Sequence, residues 1–282
     1  MNSMNTPNYS LIYISGVGRS GSTLLSNCLR KIEGSINIGE FLYLVFDYEA
    51  RARNLECSCG EIFNKCEFWE DYFGKINLNI TASIWDKLRL RSILFKEPSF
   101  TDKEILEINN VEKTIIKMLS DNNRKVVIDS SKSAGILYIL SYFQNIKVTN
   151  IQFIRDLEGV VQSWSKSKQH LRKKRTLKTI LDWHLINRLI VKISNKKRIS
   201  TFCVAYNKFV EDQESTYGLL EKEGFNFSET LDKNFHVIAG NPDGRNFENT
   251  VNVKVLNKRY ESVSFLCRLY RLIFGYRIDG FK

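Results

Sequence analysis

The sequence predicts an α/β fold, a three-layer P-loop-like domain whose central sheet is mainly parallel, carried by one domain over residues 1–282. Three observations predict it. An apolar, β-branched run at 10–15 passes directly into a glycine-punctuated turn and then a helical pattern. Further strand-length runs at 125–129, 148–154 and 199–205 are separated by helical patterns. The chain is 43% hydrophobic, has only 3 prolines and shows no Gly/Ser-rich linker, so it builds one core with helical insertions.

The first strand leads into Gly16-Val17-Gly18-Arg19-Ser20-Gly21-Ser22-Thr23, and Leu24, Leu25, Cys28 and Leu29 mark the apolar face of the next helix. A strand, a glycine turn and a helix start together make an anion site. Backbone N–H groups point outward, the helix dipole adds positive charge, and glycine admits close approach. The spacing nearly fits the nucleotide-binding pattern G-x-x-x-x-G-K-[ST], with Gly16, Gly21 and Thr23 in register but Ser22 in the lysine position. That lysine neutralises the outer phosphates of a nucleoside triphosphate, so its loss argues against an ordinary ATPase or kinase. Arg19, inside the turn, is the cation here; a plain turn is the alternative.

The segment Gly18-Arg19-Ser20-Gly21-Ser22-Thr23-Leu24-Leu25 resembles the 5′-phosphosulfate loop of sulfotransferases that use 3′-phosphoadenosine-5′-phosphosulfate (PAPS), in wording nearer the carbohydrate and tyrosyl-protein branch. The resemblance implies that Gly18, Arg19, Ser20, Gly21, Ser22 and Thr23 bind the donor, with Arg19 stabilising the leaving 5′-phosphate. After a turn and a short extended piece at 34–40, Gly39-Glu40 lies 21 residues beyond Arg19. Tyrosyl-protein sulfotransferases carry a Gly-Glu pair at that distance, which makes Glu40 the candidate general base. Read from residues alone, Glu40 is an acid at the start of a helical pattern that runs to Arg53.

Cys57, Cys59 and Cys66 follow. A closed zinc site needs four ligands, and no C-x-x-C or neighbouring histidine completes one, so no metal is expected. The Cys-x-Cys-Gly…Cys-x-Phe-Trp wording also resembles a loop of bacterial sulfotransferase-like sequences, which implies packing near the active-site mouth with Phe68 and Trp69 as anchors. The six cysteines read as mostly reduced thiols, with Cys28 and Cys203 as small core residues. Residues 74–124 form a polar helical insertion whose main helix, 104–119, is capped by Thr101 or Asp102. Lys96-Glu97-Pro98 reads as a helix stop.

The strand at 125–129 ends in Asp129, followed by Ser130-Ser131-Lys132. Asp129 could be a magnesium-binding aspartate; the resemblance instead makes Lys132 a ligand of the leaving group's bridging oxygen, with a solvated loop lysine as the plainer alternative. Arg155, as the third strand ends, and Ser163, eight residues on, match the family's 3′-phosphate motif. Tyr206-Asn207 stands where the family has Tyr-Glu. His236 to Arg245 resembles a segment closing over the nucleotide, with Arg245 as a second 3′-phosphate ligand, while His236 reads as an ordinary strand histidine.

Net charge is +11, and the window 166–198 alone holds 12 Lys or Arg against one acid, leaving the rest of the chain balanced. That basic helical segment is a solvated face, or a surface for an anionic acceptor or an anionic membrane. It lacks the interleaved aromatics of a single-strand binder, so no nucleic acid is expected. A helix at about 261–275 docks on the core or lies at an interface. The N-terminus has no apolar signal region, and no apolar run reaches about 18 residues, so a cytoplasmic chain is expected. The reaction this implies is sulfuryl transfer from PAPS to a hydroxyl-bearing acceptor. The alternatives are a kinase with a divergent loop and a non-enzymatic anionic-surface binder using 166–198.

Overall fold

The computed structural model describes residues 8–47, 55–89, 96–165, 175–228, 236–240 and 267. Five strands, β1 (Tyr9–Ser15), β2 (Ser35–Gly39), β3 (Val126–Lys132), β4 (Ile146–Ile154) and β5 (Ser200–Ala205), form one sheet in the order β2-β3-β1-β4-β5. Every pairing is parallel. The expected mainly parallel sheet is therefore wholly parallel among the described residues, and β2 is a strand that the sequence shows only as a short extended piece.

Alternation along β1 explains the two cores. Leu11 and Tyr13 face one cluster and Ile12 and Ile14 the other, all with no exposure. On the first face lie α2 (Phe41–Phe46), α3 (Glu67–Phe73), α4 (Leu78–Leu88), α5 (Asp102–Asp121), α6 (Ala134–Leu140) and the end of α8 (Thr176–Lys197). The second face is covered by α1 (Ser22–Cys28), α9 (Tyr206–Glu211) and α10 (Gln213–Glu221). A smaller cluster beneath the loop joins α7 (Leu157–Ser165) to Val17, Ile180, Trp183 and Cys267. Burial of these apolar faces on both sides of the sheet is the main stabilising term.

The long insertion helix is α5, two residues longer at each end than the 104–119 pattern. Its cap is Thr101: the hydroxyl accepts from Glu104 N–H, and the Glu104 carboxylate accepts from Thr101 N–H at 2.8 Å. Cys203 is corrected: it is exposed, because β5 is the edge strand and the residue faces away from the buried Val204 side. The helix opened at Glu40 ends at Phe46, and residues 48–54 lie outside the described ones. Also outside are 166–174 of the basic segment, Arg245 and, apart from Cys267, the 261–275 helix. The described part of the basic segment is α8, whose Lys196 and Lys197 pair with Glu97. No helix among the described residues is long and apolar enough to cross a membrane.

Candidate active site

The chain runs from β1 out to β2, back to β3, across β1 to β4 and outward to β5, so the connections leaving the neighbours β1 and β4 run in opposite directions and reverse between those two strands. Parallel sheets bind ligands beyond the strands' carboxyl ends at such a reversal. Most of the described residues singled out in the sequence lie there in two groups.

The first group is the β1–α1 loop. Gly16 (φ +151°) has no room for a side chain, since a Cβ would stand 2.6 Å from Phe153 O, and Gly21 (φ +93°) would drive one into the Tyr206 ring at 2.6 Å. Ser20 N–H donates to Val17 O at 3.2 Å, so that amide closes the turn and is not turned to a ligand. Leu24 and Leu25 N–H donate to Gly21 O, which leaves the Gly21 and Ser22 amides heading the helix without an intrahelical acceptor. Ser20 and Ser22 are buried, and Gly18 and Thr23 half-buried. Trp164 supports the loop from α7: its indole N–H donates to Gly18 O at 3.2 Å and its ring lies 5.2 Å from the Arg19 guanidinium.

Arg155, immediately after β4, joins this group. Its Nη1 donates to Arg19 O at 3.3 Å, and its guanidinium lies 4.8 Å from the centre of the Tyr206 ring. Trp183 fixes the backbone by donating to Arg155 O at 3.0 Å. Buried atoms with no hydrogen-bond partner among the described residues include Arg155 Nε and Ser20 Oγ. Such donors are costly unless something accepts from them, and these two stand at the loop. Ser163 is half-buried on α7, next to Trp164.

The second group lies over β2 and β3, where Lys132 and Glu40 form a largely buried ion pair and Lys132 also donates to Ser130 O at 3.1 Å. The groups connect through Gly16 N–H, which donates to Lys132 O at 3.1 Å. A strap at 236–240 closes this side. Ile238 O accepts from Glu40 N–H at 2.9 Å, and a Cβ on Gly240 would stand 3.0 Å from Thr23 Oγ1 and 3.9 Å from Glu40 Oε1.

Asp129 has a structural task. It is fully buried, one oxygen accepting from Leu42 N–H at 3.0 Å and the other from Ser131 N–H at 2.8 Å. Ser131 Oγ accepts from Tyr43 N–H, so β3 seats the first turn of α2 and thereby Glu40. Burial raises the Asp129 carboxyl to about 6 despite these amides.

The structure thus brings Arg19 beside Arg155 and Glu40 beside Lys132, with the loop between them. Two aromatic rings pack on the arginines: Trp164, which sequence reasoning passed over, and Tyr206, which it noted only as half of a Tyr-Asn pair. Trp164 adjoins the Ser163 of a recognised motif, and Tyr206 opens α9 directly after β5; aromatic residues in such places are the signal that was available. His236 is corrected from an ordinary strand histidine: it stacks on Phe68, ring centres 4.5 Å apart, and stands against Cys57 and Cys66. Trp69 is fully buried and stacks on Phe41 at the start of α2.

No protein-family model and no curated protein matches the chain. Among solved structures, the sulfotransferase domain from the Synechococcus PCC 7002 olefin synthase is similar at 15% identity, with 96% of each chain covered and a TM-score of 0.47. A thymidylate kinase from Candida albicans is similar at 12% identity over 84% of this chain and 100% of its own, with a TM-score of 0.37. Neither likeness carries an assignment of chemistry.

Proposed function

We propose that the protein is a sulfotransferase that moves a sulfuryl group from PAPS to an acceptor hydroxyl. The observation that carries this reading is Arg155: a half-buried guanidinium packed beneath the Arg19 loop, with its Nε buried and without an acceptor. A loop that holds a 5′-phosphate does not by itself call for this second cation; a nucleotide with a further phosphate does. Asp129, which a magnesium-dependent kinase would use at this strand end, has both oxygens on backbone amides. That weakens the kinase reading.

In the reaction the acceptor oxygen attacks sulfur in line, the bond from sulfur to the bridging oxygen breaks, and 3′-phosphoadenosine-5′-phosphate leaves. Glu40 takes the acceptor proton. Arg19, Lys132 and the amides at the start of α1 face the charge that builds on the leaving phosphate. Without ligand Lys132 neutralises Glu40; an arriving anion draws the ammonium toward the phosphate and releases the carboxylate for its task. Arg155 and Ser163 hold the 3′-phosphate, and Arg245, outside the described residues, is a further ligand. The acceptor bears a hydroxyl, as in a carbohydrate or a lipid-linked glycan, and the basic segment 166–198 favours an anionic one.

Thermal shifts with nucleotides test the reading. 3′-Phosphoadenosine-5′-phosphate should raise Tm well above the effect of ADP or AMP without added magnesium, and Arg155→Ala should remove most of that preference. Charge-assisted hydrogen bonds of this kind contribute roughly 1.5–3 kcal/mol, about tenfold or more in Kd. Equal shifts for the three nucleotides, or a magnesium-dependent shift with ATP alone, would return the kinase reading.

A further inference from the structure

Beside the active site, and separate from its anion-binding residues, residues 56–69 fold against the 236–240 strap. Cys57 bridges Ile238 in antiparallel fashion, Ser58 N–H donates to Val237 O at 3.0 Å, and Val237 N–H donates to Ser58 Oγ at 3.0 Å. The Cys-x-Cys-Gly turn is tight: Gly60 N–H donates to Cys57 O at 3.0 Å, and Gly60 holds φ +96° in open space, so conformation and not crowding requires glycine there. This turn and strap gather the sulfur atoms of Cys57, Cys59 and Cys66 and a ring nitrogen of His236 within 4.8 Å of one another.

Three of the six separations are those of a coordination sphere, and all six lie within 4.8 Å. Cys59 Sγ and Cys66 Sγ are 3.7 Å apart. His236 Nδ1 lies 3.5 Å from Cys57 Sγ and 3.3 Å from Cys66 Sγ. A tetrahedral zinc ion, with bonds of about 2.3 Å to sulfur and about 2.0 Å to nitrogen, has sulfur–sulfur edges of roughly 3.8 Å and sulfur–nitrogen edges of roughly 3.5 Å. A disulfide would need two sulfurs about 2.0 Å apart and would leave the third thiol and the imidazole unexplained. Phe68 stacks on the imidazole with the planes 4° apart and holds its orientation.

We propose that Cys57, Cys59, Cys66 and His236 bind one zinc ion in a closed structural Cys₃His site. Four protein ligands leave no position for substrate, so the ion staples and does not catalyse. It ties the strap to the 56–69 loop, and the strap is what accepts from Glu40 N–H and stands beside Thr23. The three thiols give up their protons as the metal binds, so the site empties in acid and in strong chelator. This metal chemistry is independent of which group the neighbouring site transfers.

The test is metal content of the full chain, expressed with zinc and purified without chelator. About one zinc per chain is expected by elemental mass spectrometry. Replacement by cobalt should give the intense visible bands of a tetrahedral thiolate site. Cys59→Ser, at the exposed ligand, should lose most of the metal, whereas Cys203→Ser, at a thiol outside the cluster, should keep it. Should Cys59→Ser fail to fold, the cobalt spectrum of the unaltered chain decides alone. A zinc-free chain that takes up no cobalt, or a Cys59–Cys66 disulfide in the peptide map, overturns the proposal.

Discussion

Arg19, Lys132 and Ala239 hold left-handed backbone, with φ of 74°, 66° and 59°. Residues with side chains adopt this region at a cost, and they persist where surrounding contacts over-determine them, often at functional sites. Here one ends the approach to the anion loop, one turns the lysine toward Glu40, and one shapes the strap. A pair of substitutions separates their chemistry. Glu40→Gln keeps shape but cannot take a proton, so kcat should fall by roughly 10²–10⁴-fold while donor affinity survives. Arg19→Ala should weaken donor binding and turnover together. A kcat within about threefold of the parent for Glu40→Gln would make Glu40 only the acid that opens α2.

Asp129 gives a pH signature at the same scale. Its carboxyl rises from an ordinary 3.8 to about 6 on folding, chiefly through burial. Between these values the folded chain keeps a proton that the unfolded chain gives up, so stability falls as pH rises through the window and levels off above it. The loss is on the order of 3 kcal/mol. Asp129→Asn lacks the titration, so unfolding free energies from denaturant melts at about pH 4 and pH 7 should show the parent losing ground to the variant by roughly that amount. Parallel pH dependences would show that Asp129 titrates alike in both states.

At the scale of elements, β2 and the end of β3 explain what the sequence withheld. All five residues of β2 are buried, so it shows no alternation, and its Asn37 and Gly39 look like turn residues. Ser130 and Ser131 read as a loop after β3 because they are polar. They are nonetheless buried and satisfied, Ser130 Oγ donating to Gly39 O at 3.1 Å and Ser131 Oγ serving α2. By contrast β1, β4 and α5 were plain, since apolar runs and a capping box are local signals. Gly39 tests the seating of the strap on β2. It holds φ +67°, and a Cβ would lie 2.1 Å from Ile238 O, a backbone atom that cannot swing aside. Gly39→Ala should therefore destabilise by about 2 kcal/mol, a Tm loss of roughly 4–8 °C. An unchanged melt would mean that strap and strand do not meet.

At the scale of the molecule, the site divides by sequence distance. Arg19, Glu40, Lys132, Arg155 and Ser163 could be singled out as candidates because each sits in a short local run of residues that resembles a known motif. Their pairings could not be, since Arg155 reaches Arg19 O only when β4 lies against β1. The fourth member of the cysteine cluster was out of reach for the same reason: His236 follows Cys66 by 170 residues, and only the strap returns it.

The place of β1 in the sheet also sets an order in time. Synthesis delivers this strand before the other four of the sheet, apolar on both faces, yet its neighbours are β3 and β4, and no hairpin can pair it early. Leu11 waits for Val127 on one side and Val148 on the other. Non-local parallel pairing is slow and leaves sticky intermediates. A nascent chain must therefore carry β1 unpaired, or sheltered by a chaperone, until β3 and β4 have been made. The anion loop, made well before Arg155, takes its final shape only once Arg155 has left the ribosome.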